Sequence, residues 1–296
     1  MTIFNLAEYK YLVPDLSGSK KDEVGKYKIK KFGNGTSIIS IETSVEGKRC
    51  AVFGGATHLT SLFETLLLCH TLKKEGARQV TAIIPFIPYA RQDENKKGES
   101  WGMKWLSEML ASSGVNEVIT IDIHSKLAAE LGSLPIVSLS SAEILARPAL
   151  KIVKRSSVCV APDEGAIDNC IEISEKLGMT APVAHFSKKR SSRGKVRIIS
   201  FMGKAGEEAV IADDIIDTGS TLVEACKRLK KAGARKITVF ASHGVFDGKD
   251  WKKSFGLGVD RIYCTDSNPA MRRLDHPKVK IVSIKNLIAE HLIPGL

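Results

Sequence analysis

The chain has 296 residues, 43% of them hydrophobic and 26% charged, so it can bury a sizeable core in one large domain or two medium ones. Its net charge of +11 favours anionic partners such as nucleic acid, acidic lipid or phosphorylated small molecules, with a merely solvated basic surface as the alternative. The densest apolar run, AIIPFIPYA, is short and contains two prolines. We therefore expect no signal peptide and no membrane span, and a cytoplasmic location by default.

The cysteines indicate a buried and reduced state. None of the six forms a CxxC pair, and most lie within apolar runs. Such residues behave as small hydrophobic side chains in a reducing compartment, whereas a zinc site would need paired ligands at short spacing. The six positions are Cys50, Cys69, Cys159, Cys170, Cys226 and Cys264.

The first predicted helix has a counterpart half a chain later. The sequence LKKEGARQVT at 72–81 returns as LKKAGARKIT at 229–238. In each copy we predict a helix that ends in lysines, a left-handed glycine cap at Gly76 or Gly233, and then an apolar strand. The two copies favour two similar α/β domains.

The beginnings of the two helices also agree. Ser61 precedes Glu64 by three residues, and Thr221 precedes Glu224 by the same spacing. This pattern predicts a capping box at the start of each helix.

The remaining predicted elements alternate between strands and helices. Near-continuous apolar strands of this kind favour parallel sheets covered on both faces. We expect a first domain at 1–147, a second at 148–296, and a last segment near 279–292 that returns to pack on the first domain. The predicted strands are 118–123, 158–161, 183–186, 196–201 and 210–212, with helices at 103–112 and 166–177.

The stretch VIADDIIDTGSTL joins a predicted strand to a predicted helix. Asp213 and Asp214 follow the strand, at the sheet edge where ligands of parallel sheets bind. The residues from Asp217 to Thr221 lead into the helix, where N–H groups, hydroxyls and Gly219 can form an anion cradle. The carboxylates can accept hydrogen bonds from sugar hydroxyls or bind Mg²⁺. The stretch therefore predicts a sugar-phosphate site with its metal, with a helix-capping acidic turn as the alternative.

This stretch resembles the 5-phosphoribosyl-1-diphosphate (PRPP) loop of type I phosphoribosyltransferase folds. Five further segments resemble those of ribose-phosphate pyrophosphokinases, also called PRPP synthetases, and all six occur in the family's order. The resemblance implies two tandem type I phosphoribosyltransferase-like domains, each a mostly parallel sheet flanked by helices. The five segments are IPFIPYARQD at 84–93, IDIH at 121–124, APDEG at 161–165, FSKKR at 186–190 and SHGVF at 242–246.

The resemblance also implies the roles of individual residues. Lys188 and Arg190 match the family's catalytic pair, and Arg91 and Gln92 match its ATP-binding pair. His124 and Asp163 are implied as Mg²⁺ contacts, with Asp122 orienting the histidine. The implied ribose 5-phosphate and PRPP ligands are Asp213, Asp214, Asp217, Thr218, Gly219, Ser220 and Thr221.

The largest departure from the family is in its adenine-binding stretch, F-S-D-G-E, which reads FGNGT here. Phe32 can still stack on a base and Asn34 can still form a hydrogen bond, so both are expected ATP contacts. Asn34 and Thr36 replace two carboxylates, which leaves nucleotide affinity and choice open. Ala166 and Ser220 each replace a family glycine.

The resemblance implies a Mg²⁺-dependent enzyme that transfers pyrophosphate from ATP to the 1-hydroxyl of ribose 5-phosphate, giving PRPP and AMP. It also implies self-association, as a dimer at least and up to a hexamer. One alternative is a catalytically weak regulatory paralogue that binds synthetase subunits, and another is a phosphoribosyltransferase that uses PRPP. We expect no nucleic-acid partner, because the sequence has no basic helix with interleaved aromatic residues.

Overall fold

The computed structural model describes residues 1–16, 22–130, 132–190, 196–203 and 206–293, without the side chains of 188–190 and 196–202. The chain forms two compact units. The first comprises Met1–Leu139 and Lys285–Leu296, and the second comprises Ser140–Ile284. The predicted division at 147/148 falls after the short helix at 142–146, which belongs to the second unit.

The first unit is built on a parallel sheet. Its elements, in chain order, are β1 (Thr2–Asn5), β2 (Glu23–Val24), β3 (Tyr27–Lys31), β4 (Ser37–Ile41), β5 (Arg49–Phe53), α1 (Leu59–Lys74), β6 (Gln79–Ile83), α2 (Gly102–Ser112), β7 (Glu117–Ile121), α3 (Lys126–Glu130) and β8 (Ile136–Leu139). The sheet has the strand order β2-β1-β5-β6-β7-β8, and β3 and β4 form a separate antiparallel hairpin.

The second unit is built on a larger sheet. Its elements are α4 (Ala142–Ala146), β9 (Val158–Ala161), α5 (Ile167–Lys176), β10 (Ala184–Arg190), β11 (Val196–Met202), β12 (Glu208–Ile216), α6 (Ser220–Lys231), β13 (Lys236–Gly244), β14 (Val259–Thr265) and β15 (Val279–Val282). The strand order is β11-β10-β9-β12-β13-β14-β15, with every pair parallel except β10 and β11.

The second sheet buries both of its faces. Along β12, Ala209 and Ile211 pack into one apolar cluster, which includes Leu222 and Leu229 of α6. Val210 and Ala212 point the other way, into a cluster formed with α5. This alternation follows from the two-residue period of a strand and explains why β12 reads as a continuous apolar run.

The chain returns to the first unit at its end, but only in part as predicted. β15 pairs with β14 in the second sheet. The following helix, α7 (Lys285–Leu292), belongs to the first unit and contacts the 3-10 helix Ala7–Leu12. Ile288 is fully buried there. The predicted returning segment is therefore a strand of one unit followed by a helix of the other.

The predicted glycine caps are confirmed, but the predicted capping boxes are wrong. Gly76 and Gly233 have φ values of 87° and 100°. The helix α1 begins two residues before Ser61, whose hydroxyl bonds instead to the Glu8 carboxylate. The helix α6 begins after a left-handed Gly219, so Thr221 lies inside its first turn.

The cysteines are buried as predicted, and all six carry free thiols. Burial raises the pKa of the Cys50 thiol to about 11 and of the Cys69, Cys226 and Cys264 thiols to about 12, which keeps them protonated and unreactive at neutral pH. Throughout the described ranges, the helices are too short or too polar to cross a bilayer.

Candidate functional site

The acidic pair lies within the last part of β12, not after it. β9 pairs with β12 only as far as Ile211, whereas β13 continues alongside to Ile216. Asp213 and Asp214 therefore extend past the end of β9, and both are half-buried. The Asp214 N–H donates to the Asp213 carboxylate at 3.0 Å. The predicted strand 210–212 is thus longer in the structure, because pairing with β13 continues through the carboxylates.

The loop after β12 has the form of an anion cradle. Gly219 has φ +83° and forms the N-cap of α6, and the Ser220 N–H donates to the Thr218 hydroxyl at 3.4 Å. Thr218 and Ser220 are exposed on either side of it, and their hydroxyl oxygens lie 3.3 Å apart. The first turn of α6 contains no acidic residue, so the positive end of the helix dipole at this loop stays available to an anion.

Asp163 lies at the carboxyl end of β9, the strand next to β12. Its carboxylate accepts a hydrogen bond from the Ala166 N–H at 3.2 Å and caps a one-turn 3-10 helix. The neighbouring Glu164 accepts a hydrogen bond at 2.9 Å from the Ser187 hydroxyl of β10. The structure therefore brings Asp163 to the same sheet edge as the acidic pair, and its contact with Mg²⁺ stays a prediction.

The predicted catalytic pair belongs to β10. Lys188 pairs in register with Ile198, and Arg190 with Val196, after an irregularity between Ser187 and Lys188. The side chains of both residues lie outside the described part of the chain. Their catalytic role stays a prediction.

In the first unit, two predicted segments meet at the carboxyl edge of the sheet. Arg91 ends a 3-10 helix, and Gln92 follows it; both side chains are exposed. The Asp93 carboxylate accepts a hydrogen bond from the Ser125 hydroxyl at 2.5 Å. Since Ser125 directly follows His124, this bond ties the predicted ATP-binding segment to the predicted metal-binding histidine.

The backbone before His124 adopts an uncommon conformation. Asp122 has φ 32°, and its N–H donates to the Leu139 carbonyl at 3.0 Å. The Ile123 N–H donates to the Ser138 hydroxyl at 2.9 Å. These two bonds to β8 fix the turn that presents the exposed imidazole of His124.

The altered adenine-binding stretch forms the turn of the β3–β4 hairpin. The Asn34 side-chain oxygen accepts hydrogen bonds from the N–H and hydroxyl groups of Thr36, at 3.1 and 2.7 Å. The Phe32 ring is 44% exposed, and the Lys30 ammonium lies 5.3 Å from its centroid. Phe32 is thus open to a stacking partner, whereas the Asn34 oxygen is engaged within the hairpin.

Sequence reasoning missed Trp251, which supports the cradle from behind, and gave no individual role to His243 or Asp266. Trp251 is buried against Gly219. The His243 imidazole contacts the Ser267 hydroxyl at 2.7 Å, deep in the sheet edge. The buried Asp266 accepts a hydrogen bond from the Ile284 N–H at 2.9 Å, and burial raises the pKa of its carboxyl. The polar neighbours of Trp251 and Asp266 in the sequence give no signal of a supporting role.

Two family models match the chain. Residues 1–114 match the N-terminal domain of ribose phosphate pyrophosphokinase, and residues 192–293 match the phosphoribosyl synthetase-associated domain. A solved phosphoribosylpyrophosphate synthetase from Mycobacterium smegmatis aligns with a TM-score of 0.84 at 24% identity, covering 98% of this chain and 97% of that one. The alignment confirms the predicted fold class of two tandem phosphoribosyltransferase-like domains.

Curated relatives cover nearly the whole chain. The ribose-phosphate pyrophosphokinase of Thermotoga maritima is 29% identical, over 92% of this chain and 87% of its own. The ribose-phosphate pyrophosphokinase of Mycoplasma pneumoniae is 30% identical, over 98% of this chain and 91% of its own. Taken with the six ordered segments and the cradle beside the acidic pair, these matches show that the chain belongs to the ribose-phosphate pyrophosphokinase family of enzymes.

Proposed function

We propose that this protein catalyses Mg²⁺-dependent transfer of pyrophosphate from ATP to the 1-hydroxyl of ribose 5-phosphate, producing PRPP and AMP. The observation that carries the proposal is the cradle of 217–221 at the start of α6, beside Asp213 and Asp214. A loop that can bind phosphate, next to carboxylates that can accept hydrogen bonds from hydroxyls, fits a sugar phosphate. Relatives named ribose-phosphate pyrophosphokinase add support.

In this proposal, the 5-phosphate of the sugar occupies the cradle. The backbone N–H groups at the start of α6 and the hydroxyls of Thr218, Ser220 and Thr221 donate to its oxygens. Asp213 and Asp214 accept hydrogen bonds from the ribose hydroxyls. Because a carboxylate accepts and does not donate, the pair selects hydroxyls and repels a second phosphate, which fixes the direction of the sugar.

The reaction forms a bond between the anomeric oxygen and the β-phosphorus and breaks the bond between that phosphorus and the oxygen of AMP. The anomeric hydroxyl loses its proton to solvent, and AMP leaves with the bonding electrons. Negative charge spreads over the phosphoryl oxygens, so catalysis depends on cations and positioning. Lys188 and Arg190 supply the cations, and a guanidinium can bind two phosphate oxygens at once.

The first unit contributes the residues proposed for ATP. Arg91 binds phosphate oxygens, Gln92 binds the nucleoside, and the exposed Phe32 ring stacks on a base. Asn34 still has its amide N–H groups to donate, although its oxygen is engaged with Thr36. A base acceptor would therefore suit this loop better than a base donor.

The donor set fits a magnesium ion held mostly by substrate. In the described ranges, no group of three or more His, Cys, Asp or Glu side chains is arranged to hold a metal. Mg²⁺ usually keeps several waters and binds one or two carboxylates plus phosphate oxygens. Asp163 and His124 would contact the ion, the histidine more naturally through water, because imidazole is a poor direct ligand for Mg²⁺. The bound ion would neutralise phosphate charge.

The second candidate is a regulatory paralogue that binds sugar phosphate but turns over poorly. The hairpin turn favours this reading, since the Asn34 oxygen is already satisfied by Thr36. In that case the cradle would retain its ligand, whereas nucleotide binding by the first unit would be weak.

The deciding experiment measures AMP and PRPP from purified protein with ATP, Mg²⁺ and ribose 5-phosphate, at several concentrations of inorganic phosphate. Omission of the sugar is the control, because ATP hydrolysis alone would also release nucleotide. Equal AMP and PRPP, both dependent on the sugar, would establish the synthetase. Sugar binding by calorimetry without AMP from any nucleoside triphosphate would favour the regulatory paralogue. Light scattering on the same preparation tests the proposed self-association.

A further inference from the structure

The cradle is held at both ends by one segment of chain, which runs from the end of β13 into the 3-10 helix Asp250–Leu257. At the first end, the Ile216 carbonyl accepts hydrogen bonds from the N–H groups of Val245 and Phe246, at 2.9 and 3.1 Å. Ile216 directly precedes Asp217, so these two bonds fix where the loop leaves the sheet. Phe246 has φ 53° to make this contact.

At the other end, the backbone of Trp251 lies against Gly219. A Cβ built on Gly219 would lie 2.5 Å from both the Cα and the Cβ of Trp251. The close approach leaves no space for a side chain and holds the left-handed residue that starts α6. The Trp251 carbonyl in turn accepts a hydrogen bond from the buried Ser254 hydroxyl at 2.6 Å.

The indole of Trp251 joins the two attachments. Its ring is 2% exposed and packs on the Phe246 ring with centroids 4.6 Å apart. It also contacts Phe255 and His276, with centroids at 6.0 and 5.4 Å. Burial of a large aromatic side chain is a strong anchor, so the indole keeps its own backbone in place beside Gly219.

We infer that Trp251 is a positioning residue for the phosphate cradle. It binds no ligand; it keeps 217–219 in one conformation before substrate arrives, and so lowers the entropic cost of binding. The identity of the ligand, ribose 5-phosphate, rests on the proposed function. The ordering of the loop by Trp251 does not rest on the proposed function. The positioning role and the identity of the ligand are therefore tested separately.

The first test follows loop order in the protein without substrate, by hydrogen–deuterium exchange of a peptide spanning Asp217–Thr221. Trp251→Leu is expected to speed exchange of this peptide about tenfold, the effect of freeing roughly one residue. Trp251→Phe keeps an aromatic anchor, so its peptide should exchange at nearly the same rate as in the unaltered protein. Phe255→Leu is the matched control, because it removes a ring from the same cluster without touching Gly219.

The second test is kinetic. Trp251→Leu should raise the KM for ribose 5-phosphate about tenfold, with kcat and the KM for ATP nearly unchanged. Phe255→Leu should change none of the three, even where it lowers the melting temperature. Phe246→Leu, which removes the other ring of the 4.6 Å pair, should reproduce the Trp251→Leu result and carries the test if that variant does not fold.

The outcomes separate the two proposals. Faster exchange in Trp251→Leu than in Phe255→Leu supports the positioning role, even if the unaltered protein makes no PRPP and the proposed function fails. Equal exchange in the two variants would overturn the positioning role whatever the activity. A loss of kcat with unchanged KM for the sugar would also overturn it, since a loop that positions phosphate acts on binding.

Discussion

The two units contain the same strand–loop–helix arrangement, but the loop is more exposed in the second unit and largely buried in the first. In the second unit, β12 leads through DTG into α6, and the loop presents exposed hydroxyls beside a half-buried acidic pair. In the first unit, β5 leads through GGATH into α1, and Gly54, Gly55 and Ala56 are all buried.

The loop of the first unit is filled by the protein itself. The Gly55 N–H donates to the Thr65 hydroxyl at 3.0 Å, and a side chain on Gly55 would collide with the hydroxyls of Tyr9 and Ser61. The Glu8 carboxylate accepts the Ser61 hydroxyl and so places an acidic group beside the first turn of α1. The repeated scaffold thus supplies a helix end in both units, and the side chains around each loop decide which one is open to an anion.

The strongest way to break the comparison is to show that the unit with the open loop does not supply the catalytic cations. Lys188→Ala should reduce kcat by roughly 10²–10³, the effect of losing one group that stabilises charge in the transition state, with little change in ribose 5-phosphate affinity. Initial rates and calorimetry measure the two quantities. Lys189→Ala is the matched control on the same strand. A larger loss of kcat in Lys189→Ala than in Lys188→Ala would move the catalytic assignment to Lys189.

The second change closes the cradle. Gly219→Ala should weaken ribose 5-phosphate binding by about tenfold or more, because the left-handed conformation costs roughly 1–2 kcal/mol with a side chain and the Cβ meets Trp251. Gly233→Ala is the control: this glycine also has a positive φ, but its Cβ would meet nothing within 4 Å. Both substitutions should lower the melting temperature. Equal affinities of the two variants for ribose 5-phosphate would argue against a phosphate site at the cradle.

The third change contrasts an acidic residue beside each of the two loops. Asp214→Ala should weaken ribose 5-phosphate binding about tenfold to hundredfold, since a hydrogen bond to a charged group contributes roughly 1.5–3 kcal/mol. Glu8→Ala, beside the filled loop of the first unit, should leave that affinity unchanged. Titration calorimetry of both proteins checks the pair. Equal losses would mean that the sugar site does not lie at β12.

The smallest expected effect concerns pH. Burial raises the pKa of Asp266 above its ordinary value, so between the two values the folded state holds a proton that the unfolded state releases, and stability falls as pH rises through this window. Asp266→Asn keeps an oxygen for the Ile284 N–H and removes the charge. Asp266→Asn should raise the melting temperature slightly at neutral pH. This gain should fade as the pH is lowered toward the ordinary pKa of an aspartate carboxyl. A gain independent of pH would exclude ionisation as the cause.

Local signals predicted much of this architecture. The strand 158–161 and the left-handed Gly76 and Gly233 follow from apolar runs and helix-ending patterns, and the structure has them where predicted. The capping boxes failed because other groups engage the same side chains: the Glu8 carboxylate accepts the Ser61 hydroxyl, and within α6 the Arg228 guanidinium donates to Glu224 at 3.1 Å.

The candidate site also has parts that can be predicted from the sequence and parts that cannot. The cradle and acidic pair can be predicted because their chemistry is contiguous in sequence. The role of Trp251 cannot, because it depends on a contact with Gly219 that is set by tertiary packing. The tie between Asp93 and Ser125 is likewise made across two loops of one sheet edge. The assignments of Lys188 and Arg190 come from family resemblance and not from the physics of the strand.

The first unit consists of two stretches of chain, Met1–Leu139 and Lys285–Leu296, with the whole of Ser140–Ile284 between them. During synthesis the second unit is available in full before α7 has left the ribosome, whereas the first unit must wait for that helix. Domains generally fold as the chain emerges, so the amino-terminal half of this enzyme is expected to finish folding last. Until then, the surface that buries Ile288 stays exposed on the nascent chain, where chaperones would act.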